Sequence, residues 1–346
     1  YWGKNLLRAI GTAYQYTEPN DFLKNNNGTI EFVANNDLFK ETVLFLKKLV
    51  DEKLLEPAAF TQDAMTLASR QQGEAPVFGA YAVGNSSDGF DTSSENYKSV
   101  IYCPPLEGPY GYRATNYNAP YVCRTKVITT ACEHPEVAFR LCDFLLTEEA
   151  SVAFRLGFEG SEWEKAAEGE LGRNGEQAKY KLLKPQEWIQ PTTNVIWNNE
   201  NVTFANTMNF VYEAPDSPTG RVAANVKRAN FQAYMTNEYM PALLMDIETS
   251  AEYAELQKLI ADYVNENVAL FVLGEKDMAE WDKYVAELDA MGVEQYVKMA
   301  QEAYDALPEA DAEGPAGEKL LNEIANLEDT LDSVVDSLDS FHVEIN

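Results

Sequence analysis

Apolar and polar positions along this chain repeat with two periods, and the change from one to the other marks its elements. Thr29-Ile30-Glu31-Phe32-Val33 is strand-like and follows Asn25-Asn26-Asn27-Gly28, a strong turn signal. Asn36-Asp37 then caps a predicted helix whose apolar positions Leu38, Phe39, Val43, Leu46, Leu49 and Val50 have helical spacing, ending near Glu56-Pro57. A second helix is expected from Thr61-Gln62-Asp63 to Gln72 with Gly73 as its stop, and a short strand over 76–81. Residues 97–102 read as another strand, closed by Cys103-Pro104-Pro105, and 121–124 and 127–129 as strand again. His134-Pro135-Glu136 opens a helix with Val137, Phe139, Leu141, Phe144 and Leu145, and Thr147-Glu148-Glu149 opens the next, on to Leu156-Gly157.

Residues 160–235 are less periodic and rich in Asn, Pro and aromatic residues, the pattern of a long surface or cleft-lining segment. From 250 to 305 the helical period returns in three stretches, with Gly274 and Met291-Gly292 as stops. Residues 308–318 read as a linker. The tail beyond it carries Leu320, Ile324, Leu327, Leu331, Val334, Leu338 and Phe341, alternately four and three apart. That spacing fits a short coiled coil or one amphipathic helix packed back on the body.

A length of 346 residues favours two lobes over one core. The net charge of −29, with no Lys/Arg cluster, excludes the electrostatics of a nucleic-acid or anionic-membrane binder. It points instead to solubility and low non-specific adhesion. Four cysteines, Cys103, Cys123, Cys132 and Cys142, fall in one stretch without a C-x-x-C pair, so no zinc or thioredoxin motif is supported. Cys142 lies in an apolar helical pattern and reads as a buried small hydrophobe. The sequence leaves a disulfide among the other three open. No run of eighteen apolar residues occurs. The chain opens on Tyr1-Trp2-Gly3 without Met, which reads as a piece of a longer product.

Motif chemistry excludes several enzyme classes. The two histidines, His134 and His342, form no H-E-x-x-H, and neither a G-x-S-x-G elbow nor a phosphate-binding G-x-x-x-x-G-K-[ST] loop occurs. A glycosidase needs two carboxylates across a cleft, but 56 acidic residues make chance pairs certain, and Glu159 and Glu162 carry no special signal. Asp88, Asp91 and Glu95 lack EF-hand spacing and read as a solvated loop.

Several stretches in order then resemble one family. They are Glu31-Phe32-Val33-Ala34-Asn35 with the helix after it, and Phe60-Thr61-Gln62-Asp63. Pro104-Pro105-Leu106-Glu107-Gly108-Pro109-Tyr110-Gly111 and Ile128-Thr129-Thr130-Ala131 come next, then His134-Pro135-Glu136-Val137-Ala138. Phe144-Leu145-Leu146-Thr147-Glu148-Glu149, Phe158-Glu159-Gly160-Ser161-Glu162-Trp163, Gly274-Glu275-Lys276 and Trp281-Asp282-Lys283-Tyr284-Val285 complete the set. Over 1–307 the chain resembles the extracellular solute-binding proteins of bacterial ABC importers. Within them it looks most like the large lipoprotein branch linked to oligosaccharide and aldouronate uptake.

The resemblance implies an α/β fold of the periplasmic-binding-protein type II class: two lobes with a hinge, the first lobe incomplete, and a helix-rich C-terminal part. It divides the chain into a second-lobe α/β segment over 1–103, a return to the first lobe plus the cleft-lining segment over 104–235, and helices of the second lobe over 236–307. The acidic linker and amphipathic tail over 308–346 fall outside it. It implies carbohydrate binding and delivery to permease subunits, with no cofactor, no metal and no catalysis. Location is expected at the cell surface of a Gram-positive-type bacterium, with membrane contact only through a lipid anchor on an N-terminal segment. Tyr81 stands where related maltose-type binders stack an aromatic on sugar. Trp2, Tyr117, Asn118, Glu159, Trp197 and Asn198 are further ligand-binding candidates, from aromatic-plus-amide clusters in loop-like segments. The competing classes are a carbohydrate-active hydrolase and an interaction module built on the C-terminal heptads.

Overall fold

The computed structural model describes residues 6–60, 66, 69–70, 78–82, 94–115, 127–172, 175–183, 210–212, 214 and 218–307. In chain order the principal elements are α1 (Leu6–Gly11), β1 (Leu23–Asn26), β2 (Thr29–Phe32), α2 (Asp37–Asp51), α3 (Glu95–Ser99), α4 (Pro135–Phe144), α5 (Glu148–Arg155), β3 (Trp163–Lys165), β4 (Tyr180–Leu182), β5 (Val211–Tyr212), α6 (Pro218–Ala229), α7 (Ile247–Leu273), α8 (Trp281–Ala290) and α9 (Val293–Asp305). The chain divides into two compact units, each assembled from separate stretches. One takes 5–61, 105–121 and 231–346; the other takes 1–4, 62–104 and 122–230. The stretch 1–103 therefore contributes to both units, and 236–307 lies in the first.

In the 5–61/105–121/231–346 unit, β1 and β2 form an antiparallel hairpin in which Asn26 faces Thr29. Asn27 and Gly28, at φ 51° and 94°, supply the two positive φ angles that such a tight turn demands. Asn36 caps α2 by accepting the Phe39 N–H at 2.9 Å, and its side-chain amide exchanges two bonds with that of Gln15. The inner face of α2, with Phe39, Val43 and Leu46 fully buried, shares one core with Ile260, Val264, Val268 and Phe271 of α7. Rings continue that core: Phe22 to Phe39 at 5.8 Å, Phe39 to Trp281 at 6.3 Å, and Trp281 to Tyr284 at 4.9 Å. Each such side chain contributes about 1.5–3 kcal/mol on burial. Gly274, at φ 77°, ends α7 as predicted. Gln301 of α9 binds the hairpin turn and the strand that follows it, accepting from Ile30 N and donating to Gly28 O.

In the other unit, β3 pairs antiparallel with β4 and β4 pairs parallel with β5, placing Trp163 opposite Leu182, Lys165 opposite Tyr180, and Tyr180 beside Val211. Val152 and Leu156, at the C-terminal half of α5, pack with Tyr180 and Val211 into its core. Thr147 caps α5 through the Ala150 N–H.

The helices over 37–51, 135–144, 148–155 and 247–305 follow their predicted apolar patterns, but the first ends at Asp51, short of the expected Glu56-Pro57, as Lys53 turns to φ 60°. Residues 97–102 are a correction: no strand forms, because Ser94 caps the short helix α3 and buries Tyr97 within it. Residues 78–82 and 127–129 are irregular rather than strand, and the weakly periodic segment after 160 holds β3, β4, β5 and α6. Strands of two or three residues are too short to show a period. Helix α4 starts at Pro135 as read, with His134 exposed at the cap position, its side chain making no cap bond. Its apolar side chains nevertheless stay exposed: Val137 at 66%, Phe139 at 65%, Leu141 at 58% and Phe144 at 48%. Cys142 is accordingly half-buried rather than a core residue. Cys103, Cys132 and Cys142 are free thiols, and Cys123 lies outside the described residues. No helix among the described residues is long and apolar enough to cross a membrane.

Candidate functional site

The loop from Gly157 to Trp163 is folded around a buried acid. Glu162 turns inward and accepts from Phe158 N at 3.1 Å and from the Ser161 hydroxyl. Gly157 and Gly160 take φ 89° and 83°, and Gly160 N donates to Trp163 O at 2.7 Å. The Trp163 indole N–H donates to Gly157 O at 3.0 Å, which fixes the ring at the start of β3. There it meets Tyr180 edge-on, with centroids 5.0 Å apart and planes at 84°.

Across the hairpin, Glu148 accepts on one oxygen from Lys179 at 2.8 Å and from the Tyr180 hydroxyl at 2.6 Å. The Lys179 bond, then the Tyr180 bond, hold its carboxyl below the usual range. Burial, with the Glu148 bond adding, holds the Tyr180 hydroxyl above its own. The loop joining β3 to β4 is closed by Gln177, whose amide accepts from Gly169 N and donates to Ala167 O and Glu170 O. Glu170 accepts from Ala167 N at 2.7 Å and Lys181 at 2.8 Å, and these bonds, the Lys181 one first, lower its carboxyl.

Between these staples lies a solvent-open cavity of about 690 Å³, lined by Trp163, Lys165, Glu168, Gln177, Lys179 and Tyr180 among others. Lys179 and Gln177 are committed to protein partners. The Lys165 ammonium and the Glu168 carboxylate have no hydrogen-bond or ion-pair partner among the described residues. Aromatic surface beside a separate donor and acceptor is an arrangement that holds a polyhydroxylated molecule.

Of the predicted ligand residues, Tyr81 and Glu159 are described, both in this unit. Tyr81 is half-buried with its hydroxyl inward, and burial, with the Tyr102 and Tyr97 phenols adding, raises that hydroxyl well above its ordinary range. Glu159 is exposed on the loop and pairs through its backbone with Trp163. Trp2, Tyr117, Asn118, Trp197 and Asn198 lie outside the described residues. Trp163, Lys165 and Glu168 were not among the sequence candidates. The family-like stretch ending at Trp163 was the one signal that could have drawn attention to it. Of the acids weighed as a calcium loop, Asp88 and Asp91 lie outside the described residues, and Glu95 pairs with Lys98.

No protein-family profile matches the sequence. The fructooligosaccharide ABC transporter substrate-binding protein FusA of Streptococcus pneumoniae serotype 4 is 25% identical over 310 residues, covering 88% of this chain and 55% of that protein. Among solved structures, S. pneumoniae FusA in complex with kestose superposes with TM-score 0.64 at 22% identity, over 88% of this chain and 60% of the other. The human-milk-oligosaccharide-binding solute-binding protein of Bifidobacterium longum infantis gives 0.61 at 17%, over 88% and 62%. The alginate-binding protein AlgQ2 gives 0.56 at 15%, over 87% and 62%. The chain thus spans between half and two thirds of the length of these relatives. The sequence is thus similar to a substrate-binding protein of an ABC transporter, and the fold is the α/β, periplasmic-binding-protein-like type II fold of these solved structures.

Proposed function

We propose that this chain captures an oligosaccharide outside the cell and delivers it to the permease subunits of an ABC importer, without chemistry on the sugar. The observation that carries the reading is the 310-residue similarity to a fructooligosaccharide-binding protein, supported by folds shared with other oligosaccharide binders. In this reading Tyr81 offers a ring for stacking and Glu159 accepts sugar hydroxyls. Trp2, Tyr117, Asn118, Trp197 and Asn198 supply further stacking and amide contacts. Attachment to a Gram-positive-type cell surface through a lipidated N-terminal segment belongs to the same reading.

A thermal-shift screen of the 346-residue chain against kestose, nystose, maltotriose and short peptides tests it. A sugar at a hundredfold over its Kd stabilises by about 2.7 kcal/mol. A sugar-specific shift supports the reading; a shift with peptides alone keeps the fold and overturns the ligand.

A further inference from the structure

We infer that the cavity lined by β3, β4 and the loop joining them is a subsite for one neutral sugar unit, packed on Trp163 with its hydroxyls shared between Lys165 and Glu168. The inference rests on the oligosaccharide reading and adds to it a place and a charge class.

The argument begins with what is already committed. Lys179 is neutralised by Glu148, and Gln177 spends its amide on the loop backbone. The groups left for a ligand are one ammonium, one carboxylate and aromatic surface. A hydroxyl both donates and accepts, so adjacent hydroxyls on one sugar satisfy Lys165 and Glu168 together. A carboxylated sugar would gain Lys165 but meet Glu168 at the same mouth, in a chain that already carries 29 excess negative charges. The cavity is also built before any ligand arrives. The Trp163 ring is tied to Gly157, Glu170 accepts from Ala167 N, and Gln177 binds Ala167 O, Gly169 N and Glu170 O. The ordering left to oppose binding is then confined to the Lys165 and Glu168 side chains.

The test is calorimetric titration of the full chain and of the double variant Lys165→Ala/Glu168→Ala with kestose, nystose, maltotriose, lacto-N-tetraose and a glucuronate-ended trisaccharide. Acetylation of Lys165 is followed with and without the tightest sugar. Both side chains are exposed, so the variant is expected to melt with the wild type. The expected result is affinity for a neutral sugar weakened about tenfold in the variant, and slower Lys165 acetylation when sugar is bound. Equal affinity in both proteins with unchanged Lys165 labelling would overturn the subsite and leave the oligosaccharide reading standing. Tighter binding of the glucuronate sugar would overturn the charge class. No binding of any sugar to the wild type would overturn the subsite together with the reading it rests on.

Discussion

The Tyr284 hydroxyl donates to the Ala34 carbonyl at 3.0 Å, joining residues 250 positions apart. Tyr284 is fully buried and stacks on Tyr263 at 5.7 Å. The bond shows how a unit made of separate stretches closes: C-terminal helices dock onto the chain just after the N-terminal hairpin. Tyr284→Phe keeps the ring and leaves the buried Ala34 carbonyl without its donor. The expected loss is about 1–3 kcal/mol, read as a lower urea midpoint with an unchanged slope.

Asp21 gives the same unit a pH dependence. Its side chain accepts the Leu23 N–H at 3.0 Å across Phe22, which sits at φ 54° in the left-handed region. Burial pushes its carboxyl up to about 7; nearby Glu18 raises it further, while the Leu23 bond and Arg8 oppose the shift. The folded protein therefore binds a proton more tightly than the unfolded chain. The resulting stabilisation is complete below about 3.8, the ordinary value, and is lost as pH rises through about 7. Asp21→Asn keeps the acceptor oxygen without the charge. Its stability should match the wild type near pH 4 and exceed it at pH 8, with the difference growing between, measured by denaturation at a series of pH values.

The loop that fixes Trp163 depends on a glycine. A Cβ at Gly157 would stand 2.7 Å from Glu162 Cγ, and its φ of 89° disfavours any other residue. Gly157→Ala should cost about 1–3 kcal/mol and free the Trp163 ring. The variant is predicted to melt lower and to bind nystose more weakly than the wild type.

The sequence was most readable where one local rule acts alone. The helix after Asn36 showed both its cap and its apolar stripe, the Asn25-Asn26-Asn27-Gly28 stretch its turn, and Gly274 its stop. Reading failed where tertiary context decided. Tyr97-Lys98-Ser99-Val100-Ile101-Tyr102 alternates like a strand, yet the Ser94 cap makes its first part helical. Helix α4 carries the apolar spacing of a core helix but keeps those side chains exposed. The cavity was illegible because Lys165 and Tyr180, fifteen positions apart in the sequence, become neighbours only through strand register. Glu168 and Gln177 reach it from a loop without periodicity.

Asn36 offers a check on that local reading. It holds Phe39 N and Gln15 at once, so Asn36→Ala removes a helix cap and leaves a buried glutamine short of a partner. The expected cost is about 1–2 kcal/mol, whereas Asn36→Asp should lose less because it still accepts from both groups. Thermal melts of the two variants give the comparison.

The measurement closest to the central claim is titration of the purified 346-residue chain with nystose, followed by chromatography of the recovered sugar. The account predicts saturable binding at one sugar per chain and recovery of intact nystose. Hydrolysed sugar would contradict it in favour of a carbohydrate-active enzyme. Absence of binding by nystose and by the other neutral oligosaccharides would contradict it altogether.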